Sequence, residues 1–233
     1  MHISNTWLYH THLTKPVQCP INIYMFALNT CIHPPCQRSA LSVIDKNGNL
    51  TEEPNYCLKH SPDPEAEKVK IYEYIRTHQK IIGLNACGLT FTDIDLTDKR
   101  FYGCNFQYCT FSNLHSESFR SRMSFFDFSL FSDCTLVRSN LQFSSFAGAT
   151  FSHVLFTGSD LVHNNFCGIS AYQSSFDDSD LYNSRFIKAV LLDTSLRNCN
   201  IKKTIFYDIE QKNVSFKQSN TREAQFLHGG GIK

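Results

Sequence analysis

Apolar residues recur at every fifth position between Leu89 and Phe226, and the phase is never lost. The register that starts at Phe91 contains twenty-eight positions, and twenty-three of them are Phe, Leu or Ile. Fifteen of the chain's twenty Phe residues share this register. A helix repeats every 3.6 residues and a strand every second residue, so neither element alone explains a period of five. The pattern therefore predicts a solenoid, in which each unit buries its apolar residue against the neighbouring units.

A small residue, usually Ser, Cys or Ala, stands two positions before most of the large ones, and Asp or Asn often lies between them. Segments 159–163 (SDLVH) and 179–183 (SDLYN) show this pattern in full, and it resembles the pentapeptide-repeat family. The resemblance covers residues 89–228. It implies an all-β solenoid, a right-handed quadrilateral parallel β-helix of about seven coils with one pentad on each side. At about 4.8 Å per coil the rod would be roughly 34 Å long.

Two consecutive large positions are occupied by serine, namely Ser116 and Ser121. The positions that are normally small carry Leu114 and Phe119 at the same place in the chain. We therefore expect the bulk to move from one inward position to the other, with the coil retained and locally distorted.

Four apolar residues near this place are expected to point outward, namely Tyr108, Met123, Phe128 and Phe143. Residues twenty apart should stack on successive coils, which sets Tyr108 beneath Phe128 and Met123 beneath Phe143. Exposed apolar clusters of this kind mark partner sites, so we predict that these residues bind a protein partner. An alternative is that they form an aromatic ladder with a purely structural role.

Residues 31–60 contain two pairs of metal-type ligands, Cys31 with Cys36 and Cys57 with His60. Thiolates and imidazoles in such pairs are typical of tetrahedral structural zinc sites. The sequence therefore predicts a zinc ion held by these four side chains, with no open coordination position and hence no catalytic role. The alternative is a thiol-rich module without metal. Cys19 and His33 are substitutes if one of the four ligands is assigned incorrectly.

The segment between the two pairs predicts a hairpin that turns at Asn47-Gly48, since both residues tolerate positive φ. After His60, Asp63 and Pro64 are typical of a helix start. We expect a helix over residues 64–79 with one apolar face that contains Val69, Tyr72, Ile75 and Gln79. This order of elements resembles a treble-clef zinc finger. We predict that an α+β module of residues 1–88 covers the open first coil of the solenoid.

The remaining cysteines divide by their position in the pentad. Cys104, Cys109, Cys134 and Cys199 occupy the small inward position and are expected to fill the core, whereas Cys167 is expected to point outward. Since a reducing compartment keeps cysteines as thiols or metal ligands, no disulfides are predicted. An apolar run at 21–28 predicts a strand, and residues 229–233 predict a flexible tail.

The net charge of the chain is +1, and residues 89–228 carry thirteen Lys or Arg against fourteen Asp or Glu. Some pentapeptide-repeat proteins resemble DNA by presenting an acidic rod to topoisomerases such as DNA gyrase. This near-neutral repeat argues against that mimicry and against a nucleic-acid partner. No stretch is long and apolar enough to span a membrane, and we expect a cytoplasmic protein.

The sequence contains no catalytic constellation and no phosphate-binding loop, so we expect that the protein is not an enzyme. The interpretation that fits best is a noncatalytic protein-protein interaction scaffold with a structural zinc site. A topoisomerase-binding regulator and a bacterial effector delivered into host cells remain alternatives. The resemblance also implies a homodimer formed through the C-terminal coil.

Overall fold

The computed structural model describes residues 29–227, so the predicted strand at 21–28 and the predicted tail at 229–233 lie outside the described residues. The N-terminal part contains β1 (Val43–Ile44), β2 (Leu50–Thr51) and α1 (Pro64–Thr77). The strands that follow are β3 (Lys80–Ile82), β4 (Thr90–Thr92), β5 (Arg100–Tyr102), β6 (Thr110–Ser112), β7 (Arg120–Arg122), β8 (Leu130–Ser132), β9 (Thr150–Ser152), β10 (Ser170–Tyr172), β11 (Val190–Leu192), β12 (Ile205–Tyr207), β13 (Glu210–Lys212) and β14 (Gln225–Leu227). A 3-10 turn covers Thr221–Glu223.

The strands from β3 onward pair in parallel at a register of twenty residues, as in Phe111↔Phe131 and Phe131↔Phe151. One side of the rod is a seven-stranded sheet in the order β13-β11-β10-β9-β8-β6-β4. The other sides are joined by shorter sheets and by single bridges such as Asn105↔Phe125. The predicted parallel β-solenoid of about seven coils is therefore confirmed.

The first coil begins at Lys80, nine residues before the start that the sequence indicated. Strand β3 pairs with β5, so that Ile81 lies beneath Phe101. Ile81 and Ala86 are fully buried and already follow the five-residue phase of Phe91. Residues 80–88 therefore belong to the rod. The five-residue pattern is weaker in this segment, because neither of its axial residues is aromatic.

The axis of the rod is filled by stacked apolar side chains, and one column consists of phenylalanines. Consecutive ring centroids in this column are 4.8 to 5.2 Å apart, from Phe106 to Phe226. This separation agrees with the spacing of paired strands. Since each buried ring contributes roughly 1.5–3 kcal/mol, the core energy is spread evenly along the rod.

The exchange of bulk at the two axial serines is confirmed. Ser116 and Ser121 are fully buried on the axis, and Leu114 and Phe119 are buried at the neighbouring inward positions. The ring of Phe119 meets that of Phe101 edge to face at 5.6 Å. The strand register continues through this place, because β7 still pairs with β5.

The small inward residues supply hydrogen bonds that the backbone lacks where the chain turns. Ser184 Oγ accepts from the Asn164 N–H at 3.0 Å and donates to the Leu161 carbonyl at 2.8 Å. On another coil, Ser129 Oγ likewise accepts from the Cys109 N–H at 3.1 Å and donates to the Phe106 carbonyl at 2.7 Å. Because a buried N–H or C=O must find a partner, Ser, Thr or Cys suits this position better than Ala.

A corner follows each axial residue from Phe91 to Phe216 by two positions, and the residue there has positive φ. The non-glycine corners have φ between 46° and 68°. Four such corners in each twenty residues make the coil four-sided. Asp, Asn and Gly tolerate this conformation, and many corners carry them, for example Asp93, Asn113 and Gly158.

The predicted hairpin is present, but its turn differs in detail from the prediction. Strands β1 and β2 pair as Val43↔Thr51, which leaves a loop of residues 45–49. Gly48 has φ of +79°, whereas Asn47 is not among the residues with positive φ. The carboxylate of Asp45 accepts from the N–H groups of Asn47 and Asn49, both at 2.8 Å, and this arrangement replaces the tighter two-residue turn.

Helix α1 begins as predicted and ends two residues earlier than predicted, at Thr77. Asp63 caps it by accepting from the Ala66 N–H at 3.0 Å, and Pro64 opens the first turn. The predicted apolar face is wrong for Val69, which is 60% exposed. The buried residues are Ile71 and Ile75, because the first coil lies beneath the stripe that these two share.

Helix α1 and the hairpin are docked on the open end of the rod. Ile71 and Ile75 belong to the same core as Phe91. The Tyr72 ring stacks on Phe91 at 5.1 Å, and its hydroxyl donates to the Thr90 carbonyl at 2.6 Å. On the hairpin side, Ser42 and Asn85 hydrogen-bond to each other twice, at 2.8 and 2.9 Å. These contacts cover strand edges and core atoms that would otherwise face water.

Candidate metal centre

The first pair of candidate ligands lies on a tight loop closed by the bridge Thr30↔Ser39. The Cys31 N–H donates to the Arg38 carbonyl at 2.8 Å, and the Cys36 N–H donates to the His33 carbonyl at 2.7 Å. These hydrogen bonds turn both thiols toward the same side of the loop.

The second pair lies on the turn that precedes α1. The Cys57 carbonyl accepts from the N–H groups of His60 and Ser61, both at 3.0 Å. Two backbone contacts hold this segment against the first loop, from Ile32 N–H to Asn55 at 3.1 Å and from Leu41 N–H to Tyr56 at 2.9 Å. Pairs that are twenty residues apart in the sequence are thereby brought together.

The ligand atoms of Cys31, Cys36, Cys57 and His60 all lie within 4.8 Å of one another. The His60 Nδ1 is 3.5 Å from the Cys31 Sγ and 3.6 Å from the Cys57 Sγ, and the Cys36 and Cys57 sulfurs are 3.9 Å apart. Tetrahedral zinc with Zn–S of about 2.3 Å and Zn–N of about 2.05 Å gives edges of about 3.8 Å and about 3.5 Å. The observed edges fit this geometry, so the four side chains are able to hold a metal ion.

The environment of the cluster favours a thiolate at one position. Burial opposes ionisation of Cys31, but hydrogen bonds from the backbone of Cys57 and His33 and from the His60 ring lower its pKa to about 6. At Cys36 the Arg38 backbone favours the thiolate, yet desolvation and the neighbouring thiols raise the pKa. A metal cation at the centre would relieve this repulsion, since it stabilises every thiolate around it.

Of the two substitute ligands, His33 does not join this cluster. His33 stacks on the His60 ring with centroids 4.1 Å apart and thus orients the ligand ring. Cys19 lies outside the described residues. The sequence offered His33 only as a substitute ligand, and its packing role follows from the turn that places it beside His60.

The inward cysteines of the rod are core residues, as predicted. Cys104, Cys109, Cys134 and Cys199 are each at most 3% exposed. Burial raises the pKa of Cys104 to about 12 and those of Cys134 and Cys199 to about 11. Such thiols stay protonated and donate to backbone carbonyls, as Cys199 does to Phe176 at 3.0 Å. Cys167 is partly exposed.

The four residues predicted to bind a partner lie on two adjacent corners of the rod, at positive φ. Tyr108 and Phe128 share one corner and stack with centroids 5.3 Å apart. Met123 and Phe143 lie on the next corner. Tyr108 is 59% exposed, Phe128 57% and Phe143 49%, whereas Met123 is half-buried.

The Phe143 ring has two neighbours that the sequence analysis did not single out. The Phe143 ring stacks on His163 with centroids 4.9 Å apart, and the Arg122 guanidinium lies 5.9 Å from the Phe143 ring centroid. His163 follows Phe143 by twenty residues, so the coil register was a signal that could have found it. Together these contacts hold the Phe143 ring in place at the surface.

Within residues 29–227 no helix is long and apolar enough to cross a membrane.

Comparison with protein families places two matches inside the rod. The pentapeptide repeat region model matches residues 149–226, and the model of eight pentapeptide repeats matches residues 126–169. Both matches begin after the candidate metal centre. The comparison with curated proteins finds no match.

Several solved structures are similar to this chain. Rfr23, a pentapeptide repeat protein from the cyanobacterium Cyanothece, is 12% identical over 61% of this chain and 90% of its own, with a TM-score of 0.39. QnrB1, a plasmid-mediated fluoroquinolone resistance protein, is 15% identical over 66% of this chain and 86% of its own, with a TM-score of 0.38. HetL, from the cyanobacterium Nostoc, is 12% identical over 72% of this chain and 98% of its own, with a TM-score of 0.22.

Pentapeptide-repeat β-helices are generally noncatalytic scaffolds. The family matches over residues 126–226 have the same five-residue phase as the coils on either side of them, which run from Lys80 to Leu227. Residues 126–226 of the rod therefore match the pentapeptide-repeat family models.

Proposed function

We propose that this protein is a noncatalytic scaffold that binds a protein partner through one face of its β-helix, while a structural zinc ion holds its N-terminal module. The binding surface consists of the two corners that carry Tyr108, Met123, Phe128 and Phe143, and we name it the aromatic face.

The observation that carries this proposal is the presence of large apolar residues at positive φ. An L-residue with a side chain pays roughly 1–2 kcal/mol in this conformation, and Asp, Asn and Gly are the residues that tolerate it best. The stacking of Tyr108 on Phe128 returns only about 0.5–1.5 kcal/mol. Half of each ring remains exposed to solvent. Stability alone would favour Asn or Gly here, so binding is the better explanation for the rings.

Charge favours a protein partner for this face over the DNA-mimicry alternative. The corner column with the most carboxylates contains Asp93, Asp133 and Asp193, and Asn113, His153 and Gln173 interrupt it. A mimic of DNA needs a continuous acidic surface. We therefore expect that this protein does not bind a topoisomerase, which would recognise the acidic surface of a DNA mimic.

The test replaces both rings, as Phe128→Ser with Phe143→Ser. The variant is expected to keep the β-rich circular dichroism spectrum and the melting temperature, because neither ring is in the core. It is expected to lose the protein that the wild type retains from an extract of its native host, measured by quantitative mass spectrometry.

A matched control changes two corners of a polar column, Asp93→Ser with Asn113→Ser, and should retain that same protein. If the ring variant and the control retain the same proteins in the same amounts, the aromatic face is not a binding surface. If the ring variant unfolds, the rings are structural.

The proposal of zinc rests on the donor set and on its edge lengths. Three thiolates and one imidazole form a closed tetrahedron, which is the arrangement of structural zinc sites. A module with so small an apolar core needs such a constraint in order to fold. Elemental analysis of the purified protein is expected to find about one zinc per chain.

A further inference from the structure

A groove of about 720 Å³ runs between the zinc module and the corner of the rod that carries Tyr108. Its walls include Arg38, Leu58 and Lys59 from the module and Gly88 and Tyr108 from the rod. This volume lies in the range of about 300–1,000 Å³ that ligand sites occupy. The groove is continuous with the aromatic face, because Phe128 stacks on Tyr108.

The groove combines positive charge with apolar surface. Arg38 and Lys59 are exposed, and the residues that line the groove include no Asp or Glu. No ion pair among residues 29–227 involves either cation. Leu58 and the Tyr108 ring supply the apolar part. The two cations are therefore available for carboxylates from another molecule.

The zinc ligands and a glycine fix the shape of the groove. Leu58 and Lys59 lie between Cys57 and His60, so the metal cluster sets their positions. Gly88 has φ of +82°, and a Cβ at this residue would lie 3.5 Å from the Leu58 Cδ2. Any other residue at this position would have an unfavourable backbone conformation, and its side chain would lie against Leu58 in the groove.

We propose that this groove binds an acidic peptide segment of the partner protein. Carboxylates of the peptide pair with Arg38 and Lys59, and an adjacent apolar side chain packs on Leu58 and Tyr108. Charge complementarity of this kind sets the register of a peptide and speeds its association. This inference rests on the proposed role as an interaction scaffold and specifies the chemistry of the partner.

The experiment selects a random heptapeptide display library on the zinc-loaded full chain. Wild-type protein is expected to enrich peptides that combine Asp or Glu with one aromatic or aliphatic residue. The selected peptide, labelled with fluorescein, is then titrated by anisotropy. Its affinity should fall as ionic strength rises, since the groove is open to solvent.

The decisive variant reverses both charges, Arg38→Glu with Lys59→Glu, and should weaken the acidic peptide roughly tenfold or more. Lys212→Glu with Lys217→Glu makes the same change of net charge at the far end of the rod and should leave the affinity unchanged. Both proteins should keep the metal content of the wild type.

Two results would overturn the proposal. One is a library selection without enrichment of acidic residues, and the other is equal loss of affinity in both charge variants. Neither result involves Phe128 or Phe143, so the aromatic face would still be judged by its own ring variant. A peptide that binds the wild type and the ring variant equally, but not the groove variant, separates the two surfaces.

Discussion

The rod and the N-terminal module are stabilised in different ways. In the rod each coil contributes similar apolar stacking and similar hydrogen bonds, so the free energy is distributed over about seven units. Within residues 29–62 the buried residues are Cys31, Ala40, Leu41 and Cys57, and two of them are candidate metal ligands. The stability of the module is therefore concentrated in one site, and a single change there should have a larger local effect than any change in one coil.

Removal of the metal should give the largest difference between the two regions. With Cys57→Ser and His60→Ala, zinc is expected to fall from about one per chain to none, because two of four ligands are lost. The amides of Ala40 and Leu41 should then lose their protection from hydrogen exchange, whereas the Phe146 amide in the rod should keep it.

The control for this measurement is Cys87→Ser, since Cys87 lies in the neighbouring groove but outside the ligand cluster. It should retain the metal. Wild-type protein that is free of metal after careful preparation would contradict the zinc proposal, and equal loss of protection in the rod would contradict the division into two regions.

Truncation of a ring in the core column should give the second largest effect. Phe166→Ala removes a fully buried ring that stacks on Phe146 and Phe186. It is expected to lower the free energy of unfolding by about 3–5 kcal/mol, measured by urea denaturation with circular dichroism, while the zinc content stays unchanged. Phe128→Ala, at an exposed corner, serves as the control and should change stability far less. A similar loss from both variants would contradict the distinction between core and corner.

The smallest of the three effects is expected from the hydroxyls beside the core. Ser184→Ala leaves the Asn164 N–H and the Leu161 carbonyl without their side-chain partner. The expected loss is about 1–3 kcal/mol, again by urea denaturation. Ser184→Cys should lose less, because the Cys199 thiol donates to the Phe176 carbonyl at the equivalent position. If the Ser184→Ala variant had the same free energy of unfolding as the wild type, these side-chain hydrogen bonds would not stabilise the rod.

The fold was predictable because its period belongs to neither a helix nor a strand. The buried axial residues from Phe91 to Phe216 followed from that period, including the exchange at Ser116 and Ser121. The start at Lys80 and the burial of Ile71 were missed, whereas Ile75 lay on the predicted face. In both places the apolar residues are aliphatic and few. Which of them are buried depends on the contact between α1 and the first coil, and this contact is not visible in the sequence.

The candidate metal ligands were also predictable, because the two residues of each ligand pair are close together in the sequence. The groove was not, since Arg38, Lys59 and Tyr108 are distant in sequence and meet only when the module is docked. The same holds for His33, whose stacking on His60 depends on the shape of the ligand loop.

The register of twenty residues also determines how the length of this protein can change. A single inserted residue within the rod would move every later side chain out of phase, from the axis to the surface. Insertion of one complete coil between Gly148 and Gly168 would keep every ladder intact and would displace the C-terminal end by about 4.8 Å. The aromatic face lies before that point, so the reach of the rod is adjustable in fixed steps while the binding surface stays the same.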